Sequence, residues 1–407
     1  MSATTNQRHS TDALASVFSE PQSQAIPIVR AGRERLPAID RLRGLVIVLM
    51  ALDHVRDYFG QQLFSATDLS QTTPALFMTR WVTHLCAPTF VFLAGLSAAL
   101  MAERMPRPAL RRFLLARGMW LVVAEFTIVT LVWSFNFEYR LGLVMQVIWA
   151  IGISMCVLSA LIALPVPWIA AFAVAMIAGH NLLDGLSPQA FGPWAPLWNV
   201  LHVQGPTPVG LVLYPLIPWI GVMAAGYAFG ALYKQPSLRA RVSLQLGAAL
   251  LALFVGLRWL NVYGDPKPWS PQRDALFSAL SFLNVSKYPP SLSYLLVTLG
   301  LGLLLLHALD RPAARLMDAL DTLGRVPLFA YVVHLALAHL LAGLCALALG
   351  HGTSVLGQLF VFFPKTWGFG LGGVYAAWLV VLALLYPLCR WFAALKRRRS
   401  DPWLSYL

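Results

Sequence analysis

Apolar runs of about 20 residues, separated by short polar stretches, recur along the chain from residue 39 onward. A helix of that length crosses a hydrocarbon core of about 30 Å. Helices also satisfy their own backbone groups where no water can. The pattern therefore predicts an all-α fold, a polytopic membrane bundle of about ten transmembrane helices. The spans fall at 39–59, 84–102, 112–133, 143–164, 166–180, 208–232, 242–261, 289–308, 326–349 and 369–392, the fifth being short. The first 35 residues are polar and lack an apolar core, so they read as a disordered cytoplasmic N-terminal arm rather than a secretory signal. Residues 36–395 then form one transmembrane domain, and 396–407 a basic cytoplasmic tail.

Composition agrees with lipid as the solvent. Of the 407 residues 58% are apolar and 12% charged, with a mean hydropathy of +0.67; a soluble domain carries about 25% charged residues. Lys and Arg set the orientation, because they concentrate on the cytoplasmic side. With both termini inside, 22 of the 30 Lys and Arg lie in cytoplasmic segments or helix ends. The same placement accounts for the net charge of +13 without a nucleic-acid partner. Cys86, Cys156, Cys345 and Cys389 lie in or beside apolar segments with no metal-type spacing, which suits helix packing.

Against this background the stretch "GLVIVLMALDHVRDYF" (44–59) is costly. Each ionisable group inside a span costs at least ~2.5 kcal/mol and marks a candidate functional site. From Asp40, His54 lies about 21 Å along the helix at ~1.5 Å per residue, roughly two-thirds of the way across. His54 shares a face with Asp57, and Asp53 with Arg56 or Asp57. A carboxylate beside an imidazole can hold its tautomer and raise its basicity; an ion-pair cluster at the helix end is the structural alternative.

Other polar residues reach similar depths. His84 opens the second span, whose "AGLSAA" stretch predicts close helix packing. Tyr331 and His334 share one face of the ninth span near mid-membrane, with His339 turned away from them. Gly324-Arg325 marks its cytoplasmic start, where a cation at a helix N-terminus favours phosphate. Lys287 and Tyr288 precede the eighth span and can reach an acceptor or anchor at the interface. The outward loops 60–83, 181–207 and 262–288 exceed simple turns, and the second, rich in Pro, Gly and Trp, suits a cavity rim or an interfacial segment. No HExxH, no two-histidine i,i+4 pair, no GxSxG and no Walker loop occurs, so no metal is expected.

The segments "RLPAIDRLRGLVIVLMALDHVRDYF", "THLCAPTFVFLAG" and "LGRVPLFAYVVHLALAH" together resemble the heparan-alpha-glucosaminide N-acetyltransferase-like family of transmembrane acyltransferases. The resemblance covers essentially residues 35–350, and the span count agrees. It implies a multi-pass acyltransferase, in the inner (plasma) membrane if the source is bacterial, that moves acetyl from cytosolic acetyl-CoA to a sugar amine or hydroxyl across the bilayer. On that reading Arg41, Arg43, Arg111, Arg112, Arg117 and Arg325 form a basic cytoplasmic mouth for the CoA phosphates. His54 is the base or transient acyl acceptor, oriented by Asp53 or Asp57. His84, His334 and Tyr331 complete the catalytic set, activating the acceptor or stabilising the oxyanion. Lys287, Tyr288 and Arg80 bind the acceptor. Animal members carry their key histidine in the loop between the first two spans. Here 60–83 contains none, so His54 or His84 takes that role.

A second function class uses the same residues: a proton-coupled transporter or flippase for a sugar or lipid-linked glycan, with Asp53 and His54 as proton relay. The lack of a detectable inverted repeat weighs against it. The expected partners are the bilayer, acyl-CoA and a sugar or glycan acceptor, with homodimer formation left open.

Overall fold

Proline sets the start of many helices, because its fixed φ suits the first turn and its missing N–H would be unpaired there anyway. The computed structural model describes residues 36–61, 63–310, 315–399, 401 and 404. The expected arm over 1–35 lies outside them, as does half of the expected tail. In order, the helices are α1 (Pro37–Phe59), α2 (Pro74–Val82), α3 (Cys86–Met101), α4 (Arg107–Ala124) and α5 (Thr130–Ser134). There follow α6 (Val147–Leu161), α7 (Val166–Gly179), α8 (Ala195–Leu201), α9 (Leu216–Tyr233) and α10 (Pro236–Leu260). The chain ends with α11 (Ala275–Leu283), α12 (Leu292–Ala308), α13 (Arg315–Gly324), α14 (Pro327–Ala348) and α15 (Leu371–Arg398).

Each of the ten expected spans falls on a helix. Among the described residues, seven helical segments are long and apolar enough to cross a membrane: Pro74–Met101, Arg107–Ser134, Val166–Leu183, Leu216–Tyr233, Pro236–Leu260, Pro327–Ala348 and Leu371–Arg398. Two more, Val147–Leu161 and Leu292–Ala308, are apolar but shorter. Helix α1 is long enough but carries Asp40, Arg41, Arg43, Asp53, Arg56 and Asp57.

That charged helix is central. It packs against α3, α12, α13, α14 and α15, and its apolar positions from Ala38 to Phe59 belong to the main core. Helices α10 and α15 are peripheral. Their outward faces carry exposed apolar side chains such as Leu253, Val255, Trp259, Leu379 and Trp391, a surface that only a nonpolar solvent would favour. Helix α3 meets α9 at a close crossing. A Cβ on Gly95 would collide with the Met223 carbonyl, and one on Gly226 with that of Phe92. The "AGLSAA" stretch thus does what small residues do in a bilayer, letting two backbones touch.

A small sheet departs from the all-α expectation. Strands β1 (Leu143–Met145), β2 (Gly205–Thr207) and β3 (Gly210–Val212) stand in the order β1-β3-β2, β3 pairing parallel with β1 and antiparallel with β2. The expected spans at 143 and 208 therefore begin later, at Val147 and Leu216. Pro206, Pro208 and Pro215 keep this apolar stretch out of helix, so its backbone groups pair across strands instead.

Candidate active site

Near its C-terminal end α1 presents His54 to α14. His54 Nδ1 lies 2.7 Å from His334 Nε2, and His334 Nδ1 lies 2.8 Å from the carbonyl oxygen of Ala330. The carbonyl can only accept, so Nδ1 of His334 carries the proton and its Nε2 is the acceptor. His54 must then donate from Nδ1. By this inference from bonding partners, the neutral His54 ring holds its lone pair on Nε2. Trp133 and Tyr331 stand edge-on to the His54 ring, with centroids 5.0 and 6.0 Å away.

Two cavities meet at His54, while His334 stands behind it and lines neither. One, of about 340 Å³, is lined by loop residues including Asn136, Tyr139, Arg140, Gln146, Gln358 and Phe360. The other, of about 290 Å³, runs between α3, α4 and α6 past Phe90, Ser97 and Leu121 to Arg43 and Arg117. Asp53, His54, Val147, Tyr214, Lys287 and Tyr331 line both. A group held at this junction can face an occupant of either cavity.

The expected orientation of His54 by a neighbouring carboxylate gives way to a different arrangement. Asp53 accepts from Arg80 through both oxygens (3.0 Å each) and from Arg56 (3.1 Å), with Lys287 Nζ 3.8 Å away. Arg56 also donates to Asp57 at 2.6 Å. Three partly buried cations thus share two carboxylates, an excess of one positive charge beside the junction. Geometry explains the switch: at i,i+3 on one helix Arg56 meets Asp53, while Arg80 of α2 closes over the same carboxylate.

The remaining candidates divide. His84 is buried, its backbone oxygen accepting from the Tyr294 hydroxyl at 2.9 Å, and it lines neither cavity. Tyr288 and Arg80 line the loop-side cavity only. Of the six arginines expected to hold CoA phosphates, Arg43 and Arg117 reach the helix-side cavity, while Arg111 lines neither cavity and donates to the Ser159 carbonyl at 3.0 Å. Arg43 donates to Ser97 Oγ at 2.5 Å. Arg41 instead donates to the Leu309 carbonyl at 2.8 Å and pairs with Asp321 at 3.4 Å, tying α1 to α12 and α13. Arg112 is exposed, and neither it nor Arg325 lines a cavity.

Glu125 escapes the sequence reading, although an acid within "WLVVAEFTIVTLVW" is as costly as Asp53. It is 1% exposed, in a π-helical turn over Glu125–Val129. Its Oε2 accepts the backbone N–H of Trp149 at 2.9 Å. A carboxylate is favoured at that helix N-terminus, and it caps α6 where no residue of α6 caps itself. Val147, the first residue of α6, is thereby held at the junction. Tyr214, which follows β3, is likewise unmarked in the sequence because only the sheet brings it there.

A family model described as heparan-alpha-glucosaminide N-acetyltransferase, catalytic, matches residues 35–264. That stretch carries Asp53, His54, Arg80 and Tyr214, whereas Lys287, Tyr331 and His334 lie beyond it. No curated protein matches the chain.

Proposed function

The chain belongs to the heparan-alpha-glucosaminide N-acetyltransferase family, and from that premise we propose that it moves an acetyl group from cytosolic acetyl-CoA, through His54, to a sugar-type amine or hydroxyl on the other side of the membrane. The observation that carries this reading is the junction, where His54 borders two cavities of different character. Membrane attachment follows from the family and from the apolar helices; in a bacterial source the inner membrane is the proposed location.

The largely apolar helix-side cavity suits the pantetheine arm of CoA, with Arg43 and Arg117 at the end that would face the cytoplasm. The loop-side cavity offers amides (Asn136, Gln146, Gln358) beside aromatic rings (Trp133, Tyr288, Phe360). Such surroundings suit a sugar, whose hydroxyls hydrogen-bond while its C–H faces pack on rings.

Chemistry then follows from the tautomer. The Nε2 lone pair of His54 attacks the thioester carbonyl, forming an N–C bond, and the C–S bond breaks to release CoA as thiolate. Lys287 supplies positive charge beside the developing oxyanion. The Nδ1 proton of the acyl-imidazolium is shared with His334, whose ring Ala330 holds in place. Attack by the acceptor's nitrogen or oxygen breaks the N–C bond and restores the imidazole. The proton released by the acceptor balances the one taken up by the thiolate.

The test is transfer of labelled acetyl from acetyl-CoA to a panel of amino sugars and glycosides by purified protein. Label should move with wild type and fail to move with His54→Ala. Undiminished transfer by that variant would remove His54 from the reaction. A proton-coupled transporter would instead show CoA-independent uptake into liposomes, and the family match lends that reading no support.

A further inference from the structure

Away from the junction, α7 ends in a 3-10 turn (His180–Leu183) and α8 closes on His202. These ends bring His180, Asp184 and His202 together, with one potential ligand atom from each lying within 4.8 Å of the others. His180 and His202 are 2% and 1% exposed. Neither ring nitrogen of His180 has a hydrogen-bond partner, nor has Nδ1 of His202. A neutral imidazole always has one donor and one acceptor, so a buried ring with both unmet calls for a ligand that the protein itself does not provide.

We infer that His180, Asp184 and His202 bind a divalent transition metal, zinc above all, at a site separate from the acyl-transfer junction. Two imidazoles and a carboxylate form a donor set that zinc takes in tetrahedral geometry, with water completing the fourth position. His202 Nε2 and Asp184 Oδ1 lie 3.1 Å apart, so the cation would replace one hydrogen bond and give one of the two unmet His180 nitrogens a partner. The surroundings resemble the supporting contacts that orient metal ligands. Asn181 donates to the other oxygen of Asp184 at 2.7 Å and accepts from the Leu292 backbone N–H at 2.8 Å. Trp198 lies against the His202 ring at 5.1 Å and donates to the Leu186 carbonyl.

The site's place in the chain suggests its task. It joins the start and end of the 184–202 loop, and that loop runs directly into β2 and β3. Leu211, Leu213 and Tyr214, in β3 and just after it, form part of the loop-side cavity wall. Bound metal would fix this wall, acting on structure rather than on the reacting groups.

Protein purified without chelator should carry one zinc per chain by elemental analysis. Chelator-stripped wild type should gain thermal stability when zinc is returned, and should show a tetrahedral d–d spectrum with Co²⁺. His180→Ala and His202→Gln should lose the zinc, the stabilisation and the Co²⁺ spectrum. His351→Ala, which removes a histidine elsewhere, should keep all three. If folded wild type shows no zinc-dependent stabilisation and no Co²⁺ spectrum, the inference fails whatever the variants do. If His180→Ala takes up metal as wild type does, the ion sits elsewhere and it fails equally.

Discussion

His334, 280 positions along the chain from His54, accepts that residue's Nδ1 proton across 2.7 Å while its own Nδ1–H is fixed on the Ala330 carbonyl. The consequence is directional. One backbone carbonyl, acting through two rings, decides which nitrogen of His54 is nucleophilic.

Loss of His334 should therefore lower the rate more than it weakens binding. His334→Ala is expected to cut kcat by about 10²-fold, the lower range for a positioned acid–base group, with KM for acetyl-CoA nearly unchanged. His334→Gln, whose amide oxygen can accept the same proton, should recover part of the loss. A purely structural role would give no such rescue; steady-state kinetics of the two variants separate the cases.

Asp53 is expected to act on stability. Removing its charge with Asp53→Asn leaves Arg56, Arg80 and Lys287 facing one another with Asp57 as the remaining carboxylate. Deleting one partner of a fully buried ion network costs about 3–5 kcal/mol; this partly exposed one should lose less, read as a fall in the melting temperature in detergent. Lys287→Met should instead lower kcat, since Lys287 lines both cavities.

Arg43 and Arg41 lie two residues apart and should respond differently. Arg43→Gln, at the end of the helix-side cavity, is expected to raise KM for acetyl-CoA severalfold with the melting temperature nearly unchanged. Arg41→Gln removes the donor to Leu309 and the partner of Asp321, and should lower the melting temperature while leaving KM alone. Kinetics and thermal melting on the same two preparations decide it.

The α3–α9 crossing leaves no room for a Cβ at Gly95 or Gly226. Gly95→Ala puts a Cβ into the Met223 carbonyl, and overpacking of this kind costs about 1–3 kcal/mol. Gly256→Ala, at a position with open space around it, is the control that should melt like wild type.

How much of this could be read from the sequence depends on the range of the interaction. Span positions were legible because run length and lipid thickness are local facts: α14 at Pro327–Ala348 differs from the expected 326–349 by one residue at each end. Errors arose where apolar sequence served a sheet, as before α9, and where arginines continued a helix, as in α10 and α15. Helix α13 lay in what reads as a cytoplasmic loop, yet it packs on α1. Individual site residues such as His54, Tyr331 and His334 stood out because polarity in lipid is costly, and Lys287 because it introduces a span from the outward side. Their pairing did not, because no periodicity links positions 54 and 334. Asp53 misled the reading, since the arginine of α2 that claims its carboxylate is 27 residues away.

Passage of acetyl through His54 has one direct consequence that needs no acceptor. Wild-type protein given acetyl-CoA and isotopically labelled free CoA should exchange label between them, because CoA can leave and return while the acetyl group waits on Nε2. His54→Ala should abolish the exchange. Absence of exchange in a wild-type preparation that still acetylates an acceptor would contradict the acyl-histidine relay and leave His54 at most a base.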